Sequence, residues 1–195
     1  MELIFATHNP NKLEEIQAMM PGGIKLLSLE DVGLHDEIPE TASTIAENAV
    51  LKTDYVRKRL NKPVFADDTG LIIPALNGAP GVRSARYAGE NRDSNDNIDL
   101  VLKNLKGKQD RSAHFLTVIS LYLNGVQHLF EGICTGEILE HRTGNNGFGY
   151  DPVFQPDGFS QSFAEMDLQE KAAISHRGKA FQKMVQFLET LNIDN

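Results

Sequence analysis

Apolar and polar positions alternate along the first part of the chain in a way that predicts a strand followed by a helix. Residues 2–6 form a short apolar run typical of a buried strand, and the polar turn 7–10 follows it. Apolar side chains then recur at helical spacing to about Met20, where residues 21–23, Pro-Gly-Gly, end the pattern. The chain therefore begins with a strand, a turn and a helix.

The next stretch repeats this order. Residues 24–29 predict a second strand. Thr44, with Glu47 three residues later, forms a candidate capping box for a helix that runs to about Leu60. The apolar run 63–65 then predicts a third strand, and we expect it to end at two adjacent carboxylates, Asp67 and Asp68.

The second half of the chain has a different pattern. Residues 76–89 are rich in Gly and Pro and predict a loop, and a helix is expected from Ser94 to about Leu105. Two β-rich runs between residues 112 and 135 flank Asn124-Gly125, which is the strongest short-range signal for a hairpin. Residues 144–152 predict a long loop, and residues 178–191 a final helix. Together these elements predict one compact α/β unit with a mixed sheet and an inserted hairpin lobe.

Composition excludes several classes of protein. The chain has 195 residues and a formal net charge of −8, which argues against a protein that binds duplex nucleic acid. Its single cysteine, Cys134, cannot form an internal disulfide, so a reducing cytoplasm fits. No apolar run is long enough for a membrane span, and the N-terminal run lacks the basic leader of a signal peptide. We therefore expect a soluble cytoplasmic protein.

The pair Asp67-Asp68 is the first candidate for chemistry. Adjacent carboxylates raise each other's pKa unless a cation lies near them, and Mg²⁺ commonly binds one or two carboxylates together with substrate phosphates. The pair thus indicates a metal and phosphate site. A solvated turn is the alternative, because Asp-rich turns that end in Gly are common.

The turn at residues 7–12 is the second candidate. Backbone N–H groups at the start of a helix bind anions, and Lys12 adds a positive charge suited to phosphate. An ordinary capped helix is the alternative. The chain contains neither the G-x-x-x-x-G-K-[ST] pattern of a phosphate-binding loop nor a G-x-G-x-x-G after a strand, so a dinucleotide-binding fold is not expected.

Three further stretches are polar or Gly-rich. Glu40 could supply a third carboxylate and Lys52 a second lysine, whereas Glu47 is interpreted as a capping residue. Phe148 lies in a Gly-rich loop, where it could stack on a base or fill the core. Lys171 and residues 175–178 form a cluster of hydrogen-bond donors that suggests an acceptor-rich ligand.

These stretches in their order resemble the inosine triphosphate pyrophosphatase family, and the resemblance spans nearly the whole chain. The motifs are Thr7-x-Asn9-x-x-Lys12, Glu40-Thr41, Glu47-Asn48-Ala49-x-x-Lys52, Ala66-Asp67-Asp68-Thr69-Gly70, Gly78-Ala79-Pro80-Gly81-x-x-Ser84-Ala85-Arg86-Tyr87, Gly147-Phe148-Gly149-Tyr150-Asp151-Pro152 and Ser175-His176-Arg177-Gly178. His8 and Thr69 differ from the residues most frequent in the family, and neither difference removes a group that the chemistry needs.

The resemblance implies a role for each matching residue. Asp68 matches the catalytic proton acceptor and, with Glu40 and Asp67, the Mg²⁺ ligands; which of the two aspartates is the base stays open. The substrate-binding residues implied are Thr7, His8, Asn9, Pro10, Asn11, Lys12, Lys52, Thr69, Phe148, Gly149, Tyr150, Asp151, Lys171, His176 and Arg177.

The resemblance also implies the architecture and the reaction. It predicts a single domain over residues 1–195, an α/β structure with an elongated mixed sheet, flanking helices and two lobes, the active site lying in the cleft between them. It further implies a homodimer that hydrolyses ITP, dITP or XTP to the monophosphate and pyrophosphate, with no role for nucleic acid or a membrane. Two alternatives stay open: a pyrophosphatase for modified pyrimidine or methylated nucleotides, and a nucleotide sensor without turnover.

Overall fold

The computed structural model describes residues 1–192; residues 193–195, which the predicted domain includes, lie outside the described residues. The described helices are α1 Pro10–Met19, α2 Ile45–Leu60, α3 Ser94–Leu105, α4 Leu168–Ile174 and α5 His176–Asn192. The strands are β1 Glu2–Phe5, β2 Lys25–Leu27, β3 Val64–Ile72, β4 Pro80–Gly81, β5 Ser112–Leu123, β6 Val126–Ile138 and β7 Phe154–Pro156. Short 3₁₀ turns cover Pro74–Leu76, Ser84–Arg86, Asp151–Val153 and Phe163–Glu165.

The strands form one mixed sheet, which confirms the predicted α/β class. Its order is β2-β1-β3-β5-β6-β7, and β4 pairs with β3 beside this path. β1 runs parallel to both β2 and β3, whereas the pairs β3–β4 and β6–β7 are antiparallel. Parallel pairs need crossover connections, and α1 and α2 supply them.

The chain divides into two compact units. The first unit comprises residues 1–68, 117–132 and those from 177 onward, and the second comprises residues 69–116 and 133–176. Strands β3, β5 and β6 contribute residues to both units. The predicted hairpin does not form a lobe of its own, because its turn and inner residues belong to the first unit and its outer ends to the second.

The hairpin itself is confirmed. β5 ends at Leu123 and β6 begins at Val126, so Asn124-Gly125 forms a two-residue turn. Both turn residues have positive φ, 51° for Asn124 and 82° for Gly125. This conformation matches the twist of the flanking strands and is the reason that Asn-Gly favours such turns.

Apolar packing in the first unit separates its helices by sheet face. Leu3 and Phe5 of β1 and Phe65 of β3 pack with α1 and α5 in one cluster, where Phe181 and Met184 are fully buried. Alternate residues of the same strands lie in a second cluster with α2, which includes Ile4, Ala6, Val56, Val64 and Ala66. The period-2 alternation of strand side chains thus assigns α1 and α5 to one face and α2 to the other.

Several boundaries differ from the sequence prediction. β3 does not end at the acidic pair, because Leu71 and Ile72 continue the strand by pairing with β4. That small strand and a 3₁₀ turn lie in the stretch predicted as a loop at 76–89. The short elements α4 and β7 were not predicted, since seven and three residues are too few to show a periodic pattern.

The second unit has its own core. It is built on Phe115, Phe154 and Phe163, together with Ile98 and Val101 of α3, and all of these side chains are buried. Among the described residues, no helix combines the length and the apolar character needed to cross a membrane.

Candidate active site

The two adjacent aspartates lie in the middle of β3, and this position sends them to different partners. Residues two positions apart in a strand point to the same face of the sheet. Asp67 therefore shares the face of Phe65, which packs on α1 and α5, and Asp68 shares the face of Ala66, which packs on α2. Asp67 accepts hydrogen bonds from Lys12 and Asp68 accepts one from Lys52. Each carboxylate therefore has its own counterion instead of sharing one with its neighbour.

Asp67 is buried and held as an anion. Lys12 Nζ lies 3.0 Å from its Oδ1 and 2.9 Å from its Oδ2, and Arg177 Nε donates to Oδ2 at 3.2 Å. Burial by itself would raise the pKa of Asp67, but the charges of Lys12 and Arg177 outweigh it and hold the pKa well below its ordinary value. A carboxylate held in this way is a poor proton acceptor.

Arg177 has a second acidic partner that the sequence analysis did not single out. Its Nη1 donates to Oε2 of Glu15, which lies on α1 and is buried. Glu15 follows Lys12 by three residues, so both side chains project from the same side of α1. The sequence pattern gave no signal for Glu15, because this residue lies outside the apolar row of Leu13, Ile16 and Met20.

Asp68, Lys52 and Glu40 form the second charged group of this unit. Lys52 Nζ donates to Glu40 Oε1 at 2.8 Å and to Asp68 Oδ1 at 3.0 Å. Burial and the nearby charge of Glu40 raise the pKa of Asp68, and the lysines offset this only in part. The pKa of Lys52 is raised because the two carboxylates outweigh the effect of burial. Asp68 is therefore the better proton acceptor of the two aspartates.

The turn at residues 7–12 is an ordinary helix cap at its backbone. Asn9 Oδ1 accepts from the N–H groups of Asn11 at 3.0 Å and Lys12 at 3.3 Å, and Thr7 Oγ1 accepts from the N–H of Asn9 at 3.1 Å. These N–H groups are thus already hydrogen-bonded within the turn. His8 Nε2 lies 2.9 Å from the carbonyl oxygen of Asp36.

The second unit carries a different polar group. Lys171 on α4 donates to Asp151 Oδ2 at 2.6 Å, and both side chains are 5% exposed. The same oxygen accepts from the N–H of Phe148 at 2.8 Å, and the Lys171 ammonium lies 5.0 Å from the Phe148 ring centre. A Cβ on Gly147 would come within 2.1 Å of this oxygen, so glycine is required there.

The neighbouring predicted residues of this unit anchor the loop or pack in its core. Tyr150 donates its hydroxyl to the carbonyl of Ser84 at 2.8 Å, and burial raises the pKa of this phenol. His176 stacks on Phe115 with ring centres 4.3 Å apart and an interplanar angle of 15°. His176 is adjacent in sequence to Arg177, whose described ion pairs are with Glu15 and Asp67.

Some of the predicted site residues are thus in direct contact with each other, whereas for others no such contact is described. Within the first unit, ion pairs connect members of the predicted set through Lys12, Lys52 and Arg177. Within the second unit, Phe148, Asp151 and Lys171 are in contact. Thr69 is half-buried in β3, and Pro10 and Asn11 occupy the first turn of α1. Their substrate contacts stay predictions, as does the location of the site in a cleft.

A family model described as the Ham1 family matches residues 3–187. The chain belongs to the Ham1 family. A relative from Flavobacterium psychrophilum, named dITP/XTP pyrophosphatase, is 54% identical over 189 residues, which cover 97% of this chain and all of that protein. A second relative with the same name, from Bacillus subtilis, is 44% identical over 96% of this chain and 97% of its own length.

Solved structures agree with this membership. A Ham1-family protein from Coxiella burnetii matches with a TM-score of 0.90 and 40% identity, over 97% of this chain and 99% of that one. The Ham1 protein of Staphylococcus aureus matches with a TM-score of 0.88 and 38% identity over the same shares of the two chains. The α/β fold is therefore the fold of the Ham1 family, as the resemblance predicted.

Proposed function

We propose that this chain hydrolyses ITP, dITP and XTP to the nucleoside monophosphate and pyrophosphate, and so keeps deaminated purines out of DNA and RNA. The full-length relatives named dITP/XTP pyrophosphatase support the substrate class. One observation supports the chemistry above the others. Lys52 contacts both Glu40 and Asp68, so two acidic groups lie within hydrogen-bonding distance of one cationic donor.

Asp68 accepts the proton of the attacking water or orients that water. Its raised pKa makes it a stronger base than an exposed aspartate, and its Oδ1 is fixed by Lys52. Among residues 1–192, the described hydrogen bond of the Asp68 carboxylate is the one from Lys52 to Oδ1. The other oxygen of its carboxylate is thus suited to receive a proton. No covalent intermediate on the enzyme is needed.

Lys12 and Lys52 bind the phosphates. An ammonium group has three donor hydrogens, and in the described part of the chain Lys52 uses two of them, on Glu40 and Asp68. A third donor suits a phosphate oxygen. The described ion pair of the Lys12 ammonium is with Asp67, which likewise leaves donor capacity for the leaving pyrophosphate.

Mg²⁺ fits the acidic residues of the first unit. Glu40 and Asp68 both approach the single ammonium of Lys52 within 3.0 Å, so their oxygens can face one cation. No cluster of three or more His, Cys, Asp or Glu side chains suited to a metal occurs among residues 1–192. In this proposal, substrate phosphates complete the coordination, because Mg²⁺ commonly combines one or two carboxylates with phosphate oxygens. An ion held there would neutralise phosphate charge and orient the group under attack. Asp67 as a third ligand stays a prediction.

Base recognition falls to Lys171, His176 and Arg177 in this proposal, with the Phe148–Asp151 loop holding the nucleoside. Inosine and xanthosine present an oxygen at position six, where adenine presents an amino group. Hydrogen-bond donors on the protein can pair with this oxygen. With adenine they would face the amino group, which is also a donor, and unpaired buried donors of this kind support discrimination between the bases on the order of 10⁴-fold. We further propose a cytoplasmic homodimer that binds neither nucleic acid nor membrane, in keeping with the resemblance and the net charge of −8.

Pyrophosphate release tests the function. We expect turnover of ITP, dITP and XTP that requires Mg²⁺, with kcat/KM for ATP lower by orders of magnitude. Turnover of a modified pyrimidine nucleotide in preference to ITP would favour the first alternative. Tight binding of ITP without pyrophosphate release would favour a sensor. An ITP-to-ATP ratio near one would remove the base pocket from the proposal, and light scattering of the protein in solution tests the dimer.

A further inference from the structure

A segment without regular secondary structure, residues 36–42, carries Glu40 along α2. Three side chains of α2 contact it in turn. Tyr55 donates its hydroxyl to Asp36 Oδ2 at 3.2 Å, and Lys52 donates to Glu40 Oε1 at 2.8 Å. Asn48 Oδ1 accepts from the N–H of Ala42 at 3.0 Å. The segment is therefore tied to α2 at both ends and near its middle.

The three α2 residues lie on one face of the helix. Their spacings of four and three residues bring Asn48, Lys52 and Tyr55 into one row along its surface. Their partners in the segment, Ala42, Glu40 and Asp36, come in the opposite order along the chain. The segment therefore crosses this face antiparallel to the helix. Its register on α2 decides whether the Glu40 carboxylate reaches Lys52.

Apolar packing alone does not set this register finely. Ile38 is buried among the apolar residues that pack on α2, but it is the segment's one buried side chain in the described structure. Hydrophobic contact is not directional, whereas the hydrogen bond to Asn48 requires a fixed distance and angle. Asn48 is 1% exposed, so it is held in place by its surroundings.

We propose that Asn48 is a positioning residue that holds Glu40 at the Lys52–Asp68 group, with Tyr55 as a weaker second tie. Asn48 contacts neither Lys52 nor Asp68 through a described hydrogen bond, so it acts through the backbone of Ala42, two residues from Glu40. The inference rests on the proposed function, because it assigns Asn48 a role only if Glu40 contributes to turnover.

A double-mutant cycle tests this role. Asn48→Leu keeps a side chain of similar volume and removes the acceptor, and we expect kcat/KM for ITP to fall about tenfold, since small misplacements of reacting groups are costly. It should also raise the Mg²⁺ concentration needed for the half-maximal rate. In a Glu40→Gln background, the same substitution should cause no further loss, because its effect passes through Glu40.

A readout independent of activity is hydrogen exchange at the amide of Ala42. Asn48→Leu should speed exchange across residues 36–42. Asn97→Leu is the matched control, because Asn97 is a buried asparagine on α3 that accepts from the N–H of Ala88 at 2.6 Å. It should destabilise the chain without changing exchange at residues 36–42 or the Mg²⁺ dependence. Tyr55→Phe, which removes a single half-buried hydroxyl, should give a smaller change in the same direction as Asn48→Leu.

The outcomes separate the two proposals. Normal turnover by Glu40→Gln would overturn the part that Glu40 has in the proposed function, and the positioning role with it. Suppose instead that Glu40→Gln is impaired and that adding Asn48→Leu lowers kcat/KM by the same factor as it does in the unmodified chain. That result would overturn the positioning role alone. Unchanged exchange at Ala42 in both Asn48→Leu and Tyr55→Phe would also overturn it.

Discussion

The two units bury charge in different ways. In the first unit, four carboxylates and three cationic side chains form connected ion pairs around Asp67 and Asp68. In the second unit, the buried pair of Lys171 and Asp151 lies beside the rings of Phe148 and Phe163. The first arrangement is the one that we propose binds a cation and phosphates, whereas the second places one charge pair beside aromatic rings.

The two units also differ in how their ion pairs are connected. In the first unit, Lys52, Asp67 and Arg177 each have two described ion-pair partners. In the second unit, Asp151 is the described ion-pair partner of Lys171, and both are nearly inaccessible to water. Removing one partner of such a buried ion pair is strongly destabilising. We therefore expect stability to depend most on the second unit and activity to depend most on the first.

The largest effect is expected for Asp151→Ala. It removes the buried carboxylate that accepts from Lys171 and from the N–H of Phe148, and it should lower the free energy of unfolding by about 3–5 kcal/mol, measured by urea denaturation. Asp157→Ala, at an exposed position of the same unit, is the control and should change it by less than about 0.5 kcal/mol. Glu40→Gln should cost less than Asp151→Ala, and the reverse order would break the comparison.

Asp68→Asn should abolish most turnover and leave the fold intact. The amide keeps the shape of the side chain but removes the charge that the water and the cation need, so kcat should fall ~10²-fold or more. Pyrophosphate release measures the loss, and circular dichroism with a thermal melt checks the fold. Near-normal turnover would move the chemistry to Asp67 or Glu40.

Lys12→Ala should weaken binding of ITP far more than binding of inosine. A hydrogen bond to a charged group contributes about 1.5–3 kcal/mol, so the Kd for ITP should rise roughly 10- to 100-fold. Calorimetric titration with both ligands measures the difference. Lys25→Ala, at an exposed lysine paired with Glu2, is the control. An equal loss for both ligands would make Lys12 a structural residue.

The smallest effect is a pH dependence that separates Asp67 from Asp68. The pKa of Asp67 is lower in the folded chain than its ordinary value of 3.8, so its ion pairs stabilise the fold above that pH. This stabilisation is lost as the pH falls below the ordinary value, by an amount on the order of 1–3 kcal/mol. Urea denaturation between pH 7 and pH 3 should show a shallower decline for Asp67→Asn. Identical slopes would contradict the assignment.

The raised pKa of Asp68 works in the opposite direction. Its folded form binds a proton more readily than the unfolded chain does, so its contribution to stability grows as the pH falls through the raised value. Asp68→Asn should therefore steepen the decline in stability at low pH, and Asp67→Asn should flatten it. The sign of the change in this pH dependence therefore distinguishes Asp67 from Asp68, which the sequence alone presents as one acidic pair.

Features that depend on local chemistry could be predicted from the sequence alone. Asn124-Gly125 predicted the hairpin because both residues tolerate positive φ, and the helix α2 ends at Leu60 as predicted. The capping residue Thr44 accepts from the N–H of Glu47, which is one of the two hydrogen bonds of a capping box. The ordered motifs also predicted the family. The first three of these signals depend on a few neighbouring residues, and the family was predicted from the order of the motifs along the chain.

The partners of the charged residues, in contrast, depend on the tertiary structure. Asp67 and Asp68 were expected to share the end of a strand, but pairing of Leu71 with β4 extends β3 and separates the two side chains by sheet face. Arg177 lies 110 residues from Asp67 and 162 from Glu15 in sequence, and the packing of α1 and α5 on one face brings them together. The topology of the fold decides which charged residues form ion pairs. Such a pair joins residues that are distant in sequence, so no periodic sequence pattern predicts it.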